Sequence, residues 1–173
     1  MFRTSDRREL LILDTGPIRE LVTFHAVHEL GFESLRSELR FISDRECYDR
    51  CSRFIASFRR KTTSASVVAE LNSWIRETVP KGQFKLWNRV YEEFREMAMD
   101  EEVVKLVEMV SAGGMGLALL TRLGPVDVSL MGLARLHARE GPLLFTREDP
   151  LCGECERAGL HASHLREVTL IAR

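Results

Sequence analysis

The residues best suited to chemistry are acids set where apolar residues belong. In LLILDTGPIREL, the apolar run Leu10–Leu13 ends in Asp14, followed by Thr15, Gly16 and Pro17. In LLFTREDPL, a second apolar run ends at Thr146, with Glu148 and Asp149 just beyond. Two further acids sit in helical patterns. In SASVVAELNSWI, Glu70 falls three residues after Val67 and four before Trp74, on the apolar stripe or its edge. In GPVDVSLMGLARL, Asp127 precedes Leu130, Met131 and Ala134 at the i+3, i+4 and i+7 positions, so it too is expected to face inward. Each acid also has a plain structural role open to it: a cap on the Thr15–Gly16 turn for Asp14, an arginine partner for Glu70, a first-turn dipole partner for Asp127. Converging in one pocket, they would instead repel one another. A hard divalent cation relieves that repulsion, and oxygen ligands suit Mg²⁺ or Mn²⁺. Such a site fits phosphodiester hydrolysis, with one or two ions acidifying water and neutralising phosphate charge.

The elements that must present these acids follow from hydrophobic period and breakers. Leu10–Leu13 reads as a buried strand. A first helical turn tolerates Pro17, and the helix Ile18–Leu30 stops at Gly31. Helical stretches follow at Glu33–Leu39 and Arg45–Phe58, then a short strand Lys61–Ser64. A helix capped by Ser64 or Ser66 runs to Glu77. Pro80–Gly82 breaks the chain before a helix Gln83–Arg95. A short strand is expected at Glu96–Met99, a helix at Glu101–Val110 capped by Asp100, and a glycine-rich loop at Ser111–Gly116. Pro125 opens a helix ending near Gly141, Pro142–Thr146 is a strand, Pro150 opens a helix to Gly159, and Leu160–Ile171 holds a last strand. Strands alternating with helices predict an α/β fold with a mostly parallel sheet. Ligands of such sheets bind beyond the strands' carboxyl ends, where Asp14 and the Glu148–Asp149 pair fall.

With 173 residues, 45% hydrophobic and 29% charged, the chain has the size and balance of one globular domain. No apolar run approaches the ~20 residues that span a bilayer, and no secretion signal is evident, so no membrane role and a cytoplasmic location are expected. The net charge of −1 gives no general basic excess for nucleic acid. The local run Arg59, Arg60, Lys61 reads either as a phosphate patch or as a solvated helix end.

The four acidic motifs, in order, resemble the PIN-domain nucleases. That family's pattern is a strand ending in Asp-Thr, Val-x-x-Glu on a helix, an Asp opening a helix after a Gly, and a strand ending in Thr-x-Asp. Here these are LILDTGP, VVAELNSW, GPVDVSLMGLA and LLFTREDPL, and MDEEVVKLVEMV matches the approach to the third. The resemblance covers the whole chain, 1–173, as a single PIN-like domain. It implies a three-layer α/β/α sandwich with a five-stranded parallel sheet and a Mg²⁺- or Mn²⁺-dependent endoribonuclease acting on RNA. Similarity to VapC-type toxins implies a homodimer held inactive by an antitoxin protein. Asp14, Glu70 and Asp127 match the family's first three metal-binding acids. At the fourth position the register places Glu148 where the family has Asp, with Asp149 one residue later, so either completes the catalytic and metal set. The region 31–58 reads as a helical insert, a departure from the minimal toxins. The alternative is a catalytically impaired PIN-like scaffold that binds RNA or a protein partner without cutting.

Other signals are weaker. Cys47-x₃-Cys51 and Cys152-x₂-Cys155 could form a four-thiolate zinc site, though they lack the glycine-rich knuckles of a zinc ribbon, and buried thiols are the simpler reading. His25/His28 and His161/His164 have i, i+3 spacing and read as core or surface histidines. SAGGMGLAL lacks the Lys-Ser/Thr of a P-loop. A haloacid-dehalogenase-type phosphatase needs a second Asp two residues after the first, where this chain has Gly16. Thr15 and Thr146 are placed to orient ligands or serve as turn hydroxyls. Phe84, Trp87, Val90, Tyr91 and Phe94 form a stripe expected to pack internally, or, where exposed, to receive a dimer mate or antitoxin segment.

Overall fold

The computed structural model describes residues 9–102 and 117–170. Strands β1 (Leu10–Leu13), β2 (Arg60–Ser64), β3 (Met99–Glu102), β4 (Leu143–Thr146) and β5 (His161–His164) form one sheet in the order β3-β2-β1-β4-β5. Every neighbouring pair is parallel. The expected α/β class with a five-stranded sheet between helical layers is therefore present, and the described sheet is wholly rather than mostly parallel.

Burial explains the order. β1 and the first three residues of β4 are continuous apolar runs buried on both faces, as central parallel strands must be. The edge strands, MDEE and HASH, carry polar residues that discourage further pairing. β2 is interior although its sequence is RKTTS. Its buried hydroxyls are satisfied across the sheet: Thr63 donates to the Leu13 carbonyl at 2.7 Å and Thr62 to that of Asp100 at 3.0 Å.

Helices α1 (Thr15–His28), α2 (Arg45–Ala56), α3 (Ala65–Thr78), α4 (Gln83–Glu96), α5 (Leu117–Leu123), α6 (Pro125–Leu136), α7 (Asp149–Arg157) and α8 (Leu165–Leu170) complete the described chain. From β1 to β3 the chain steps one way across the sheet; β4 and β5 lie on the other side of β1. The strand order thus reverses between β1 and β4. In α3 the apolar residues Val67, Leu71, Trp74 and Ile75 are buried as their spacing predicts. Within the region read as an insert, a 3₁₀ turn Glu33–Glu38 leads to α2, which buries Cys47, Tyr48, Cys51 and Ile55. Arg50 of α2 donates to the Thr169 carbonyl of α8 at 2.7 Å.

Several boundaries differ from the sequence reading. α4 runs to Glu96, and the chain reverses at Ala98, whose φ is +48°. Met99–Glu102 then pairs in register with Lys61–Ser64, so Asp100 and Glu101 belong to an edge strand and not to a helix start. The remainder of the helix expected to Val110, and the loop Ser111–Gly116, lie outside the described residues. α6 ends at Leu136, because His137 turns its ring to Glu140 and Glu102, at 2.8 Å each. The last strand is only His161–His164. Glu167 accepts the His164 N–H and the Ser163 hydroxyl, which opens a helix. On α4 the buried residues are Leu86, Val90 and Glu93, whereas Phe84 and Tyr91 are exposed and so do not pack internally.

Candidate active site

The carboxyl ends of β1 and β4, at the reversal point of the sheet, open onto a cleft of about 410 Å³. Asp14, Glu70, Asp127 and Glu148 line it, together with Thr15, Gly16, Arg19, Arg122 and Arg147. Four separate parts of the chain deliver these acids: the β1–α1 junction, α3, the first turn of α6 and the β4–α7 junction.

Asp14 is the best held. It is 4% exposed and caps α1, with Oδ1 accepting the Thr15 N–H at 2.6 Å. Its Oδ2 accepts the Thr146 hydroxyl at 2.6 Å. The Thr146 oxygen in turn accepts the Glu148 N–H at 3.0 Å, so one threonine places the first and fourth acids. The Asp14 N–H donates to the Phe145 carbonyl at 3.0 Å and extends the β1–β4 ladder to the cleft floor. Thr15 and Thr146 are thus orienting hydroxyls, for Thr15 donates to the Glu70 carboxylate.

Glu70 does not face the core. It is exposed at the rim of the cleft, on the edge of the α3 stripe. Asp127 is half-buried in the first turn of α6. Ser129 fixes that turn: its hydroxyl donates to the Val126 carbonyl at 2.6 Å and lies 2.9 Å from the Ser64 hydroxyl, the N-cap of α3. This pair ties the helix bearing Asp127 to the helix bearing Glu70. Among the described residues, Glu70 and Asp127 have no ion-pair partner within 4 Å, although the Arg19 charge in the same cleft is felt by Glu70. Asp149 does not line the cleft, whereas Glu148 does; Arg166 holds Asp149 through contacts of 2.6 and 3.2 Å.

The electrostatics follow from this convergence. Burial, opposed by the two hydrogen bonds and aided by Glu70 and Glu148, pushes the Asp14 carboxyl up to about 6. Burial, then Asp14, Glu70 and Glu148, raise Asp127 to about 7. Two carboxyls raised chiefly by burial, and further by the neighbouring acids, mark the acidic end of the cleft as a candidate functional site. The donor set, all carboxylate oxygen, suits Mg²⁺ or Mn²⁺. As the side chains stand, no three Asp, Glu, His or Cys among the described residues are close enough to enclose an ion. Mg²⁺ commonly keeps several waters and touches only one or two carboxylates directly, so a loosely spaced acidic set is compatible with it.

The other candidate ligands do not converge. All four cysteines are free, with one pair on α2 and the other on α7. Burial pushes the Cys152 thiol up to about 11 and Cys155 to about 12, and no three potential ligands among the described residues come together around them. His25 is buried beside Glu29 and Glu93, while His28 is exposed. His164 is buried and accepts the Arg166 N–H, while His161 is exposed. The basic run enters β2, where Arg60 pairs with Glu140 at 2.5 Å.

Sequence reasoning missed the cleft's arginines and the Ser64–Ser129 tie. A cation between Thr146 and Glu148, and a glycine one turn from Arg19, were the available signals. No family model matches the chain, and no curated protein matches it. Among the described residues, no helix is long and apolar enough to cross a membrane.

Proposed function

We propose that the protein is a divalent-metal-dependent endoribonuclease, with Asp14, Glu70, Asp127 and Glu148 as the acidic set for Mg²⁺ or Mn²⁺. One observation carries this reading: four carboxylates from four parts of the chain line a single cleft at the sheet's reversal point, and two of them are driven toward neutrality there. When bound, the ion supplies an acidified water and neutralises charge on the phosphate. The chain's own part is to hold the acids. Thr146 fixes both Asp14 and the backbone entering Glu148, Thr15 restrains Glu70, and the Ser64–Ser129 pair sets α6 against α3. The PIN-like order of the motifs supports RNA as substrate, and extends the proposal to a homodimeric toxin restrained by an antitoxin.

The wide spacing of the acids favours a second reading, a PIN-like scaffold that binds RNA or a protein partner without cutting it. One experiment separates the two. Purified protein with Mn²⁺ is incubated with single-stranded RNA, alongside Asp14→Ala and Asp127→Ala. The nuclease reading expects cleavage that EDTA stops and that each variant lowers at least about a hundredfold, as loss of a transition-state electrostatic contact does. No cleavage by the wild type, with RNA bound equally by all three proteins, selects the scaffold.

A further inference from the structure

Two arginines in the cleft are held by acids outside the acidic set. Arg147 has a side chain only 10% exposed. Its methylenes lie across Gly16, where an added Cβ would come within 2.8 Å of Cδ. Its guanidinium reaches Glu20 at 3.4 Å, a fully buried carboxylate that also accepts the N–H groups of Arg40, Phe41 and Ile42. The Arg147 Nε makes no hydrogen bond; Glu148 is its nearest acid, at 3.7 Å. Arg19 is bound to Glu38 and stands 4.8 Å over the Trp74 ring, and its Nε also makes no hydrogen bond.

Buried donors without acceptors are costly, and like charges brought together are costlier. Burial, then the Arg147 charge, holds the Arg19 guanidinium below its ordinary value, with Glu70 and Glu20 opposing. Each guanidinium is braced from behind, by Glu20 or by Glu38 and Trp74, and keeps N–H groups to spare. A planar donor fork of this kind matches phosphate oxygens. The acids alone would repel a polyanionic strand, so a strand that enters needs opposing charge in the same cleft.

We propose that Arg19 and Arg147 form an anion subsite that grips a phosphate of a single polynucleotide strand, next to the phosphate being cut. Naming the strand rests on the nuclease reading; the anion subsite itself does not. Because Glu20, Glu38 and Trp74, which hold these guanidiniums, are not in the acidic set, the subsite is formed without the ion, although Arg147 also lies 3.7 Å from Glu148. It makes the substrate a chain with at least two phosphates, not an isolated diester.

The test has two arms on the intact protein. In EDTA, binding of a six-nucleotide single-stranded RNA is followed by fluorescence anisotropy for the wild type, Arg147→Gln, Arg19→Gln and Arg147→Lys. Each glutamine variant is expected to weaken binding at least about tenfold, the scale of a lost charge-assisted hydrogen bond, and lysine to recover part of it. With Mn²⁺, kcat/KM for the oligonucleotide is expected to fall at least about tenfold more than for bis(p-nitrophenyl) phosphate, mainly through KM. RNA affinity unchanged in both glutamine variants, or equal losses on the two substrates, overturns the subsite. If the wild type cleaves neither substrate but binds RNA in an arginine-dependent way in EDTA, the nuclease reading fails and the subsite stands. Should Arg147→Gln not fold, Arg19→Gln and Arg147→Lys decide the matter.

Discussion

At the residue scale, Asp14 carries the clearest energetic signature. Its carboxyl is 4% exposed and raised from an ordinary 3.8 to about 6, chiefly by burial. Between those values the folded chain keeps a proton that the unfolded chain has lost. Stability therefore falls as pH rises through this window and stays low above it. Two pKa units correspond to roughly 3 kcal/mol of destabilisation at neutral pH in the metal-free protein. Asp14→Asn removes the charge, and its side-chain oxygen can still accept the Thr15 N–H. In EDTA the variant is expected to be more stable than the wild type at pH 7.5, by about 1–3 kcal/mol after the altered Thr146 contact is allowed for. At pH 4.5 the advantage should shrink toward zero. Urea unfolding at the two pH values checks this; an advantage independent of pH would mean that charge is not the cause. Asp14 is legible in the sequence because an acid directly after a buried apolar run must sit at a strand's tip, where a parallel sheet presents it to the cleft. Glu70 is legible as a position but not as an orientation. Helical phase places it beside Val67 and Trp74, yet cannot say whether the edge of a stripe is roofed by another element. The place of Asp149 outside the cleft is not legible, because its partner, Arg166, is seventeen residues away on another element.

At the element scale, the sheet depends on polar fastenings that hydrophobic period does not report. The sequence pattern puts β3 three residues early because MDEE has no alternation; it is a strand by register with β2 rather than by its own pattern. His137 is one such fastening. It closes the end of α6 with one ring nitrogen on Glu140 and the other on Glu102 of β3. Burial lowers its pKa, but the two carboxylates outweigh that and leave it above 6.5. A histidine raised in the folded state stabilises fully below its unfolded value, and the contribution fades as pH climbs through the folded value. His137→Gln is expected to cost about 1 kcal/mol at pH 6, in the range of a well-placed ion pair, and less at pH 9. Thermal unfolding of both proteins at the two pH values measures the difference. A cost equal at the two pH values would show that packing of the ring, and not its charge, holds the two elements together.

At the scale of the whole molecule, the fold explains why scattered acids meet. A parallel sheet sends every strand's carboxyl end to one rim, and the reversal between β1 and β4 parts the flanking helices there. Strand-end acids gather at that rim by topology alone; α3 and α6 add theirs because both helices begin at it. On the proposed metal-dependent reading, a site made this way couples metal to protons. At pH 5 both Asp14, at about 6, and Asp127, at about 7, hold protons that a bound cation must displace. Each displaced proton steepens the pH dependence of affinity by about tenfold per pH unit. The apparent Kd for Mn²⁺ is therefore expected to fall about tenfold to a hundredfold from pH 5 to pH 6, and to level off above pH 7. Asp127→Asn should lower the slope by about one proton. Calorimetric titrations in two buffers of different ionisation enthalpy count the protons released. If Mn²⁺ binds with a pH-independent Kd and expels no proton, the cation is not sharing the cleft with these carboxylates, and the acidic rim serves some purpose other than holding it.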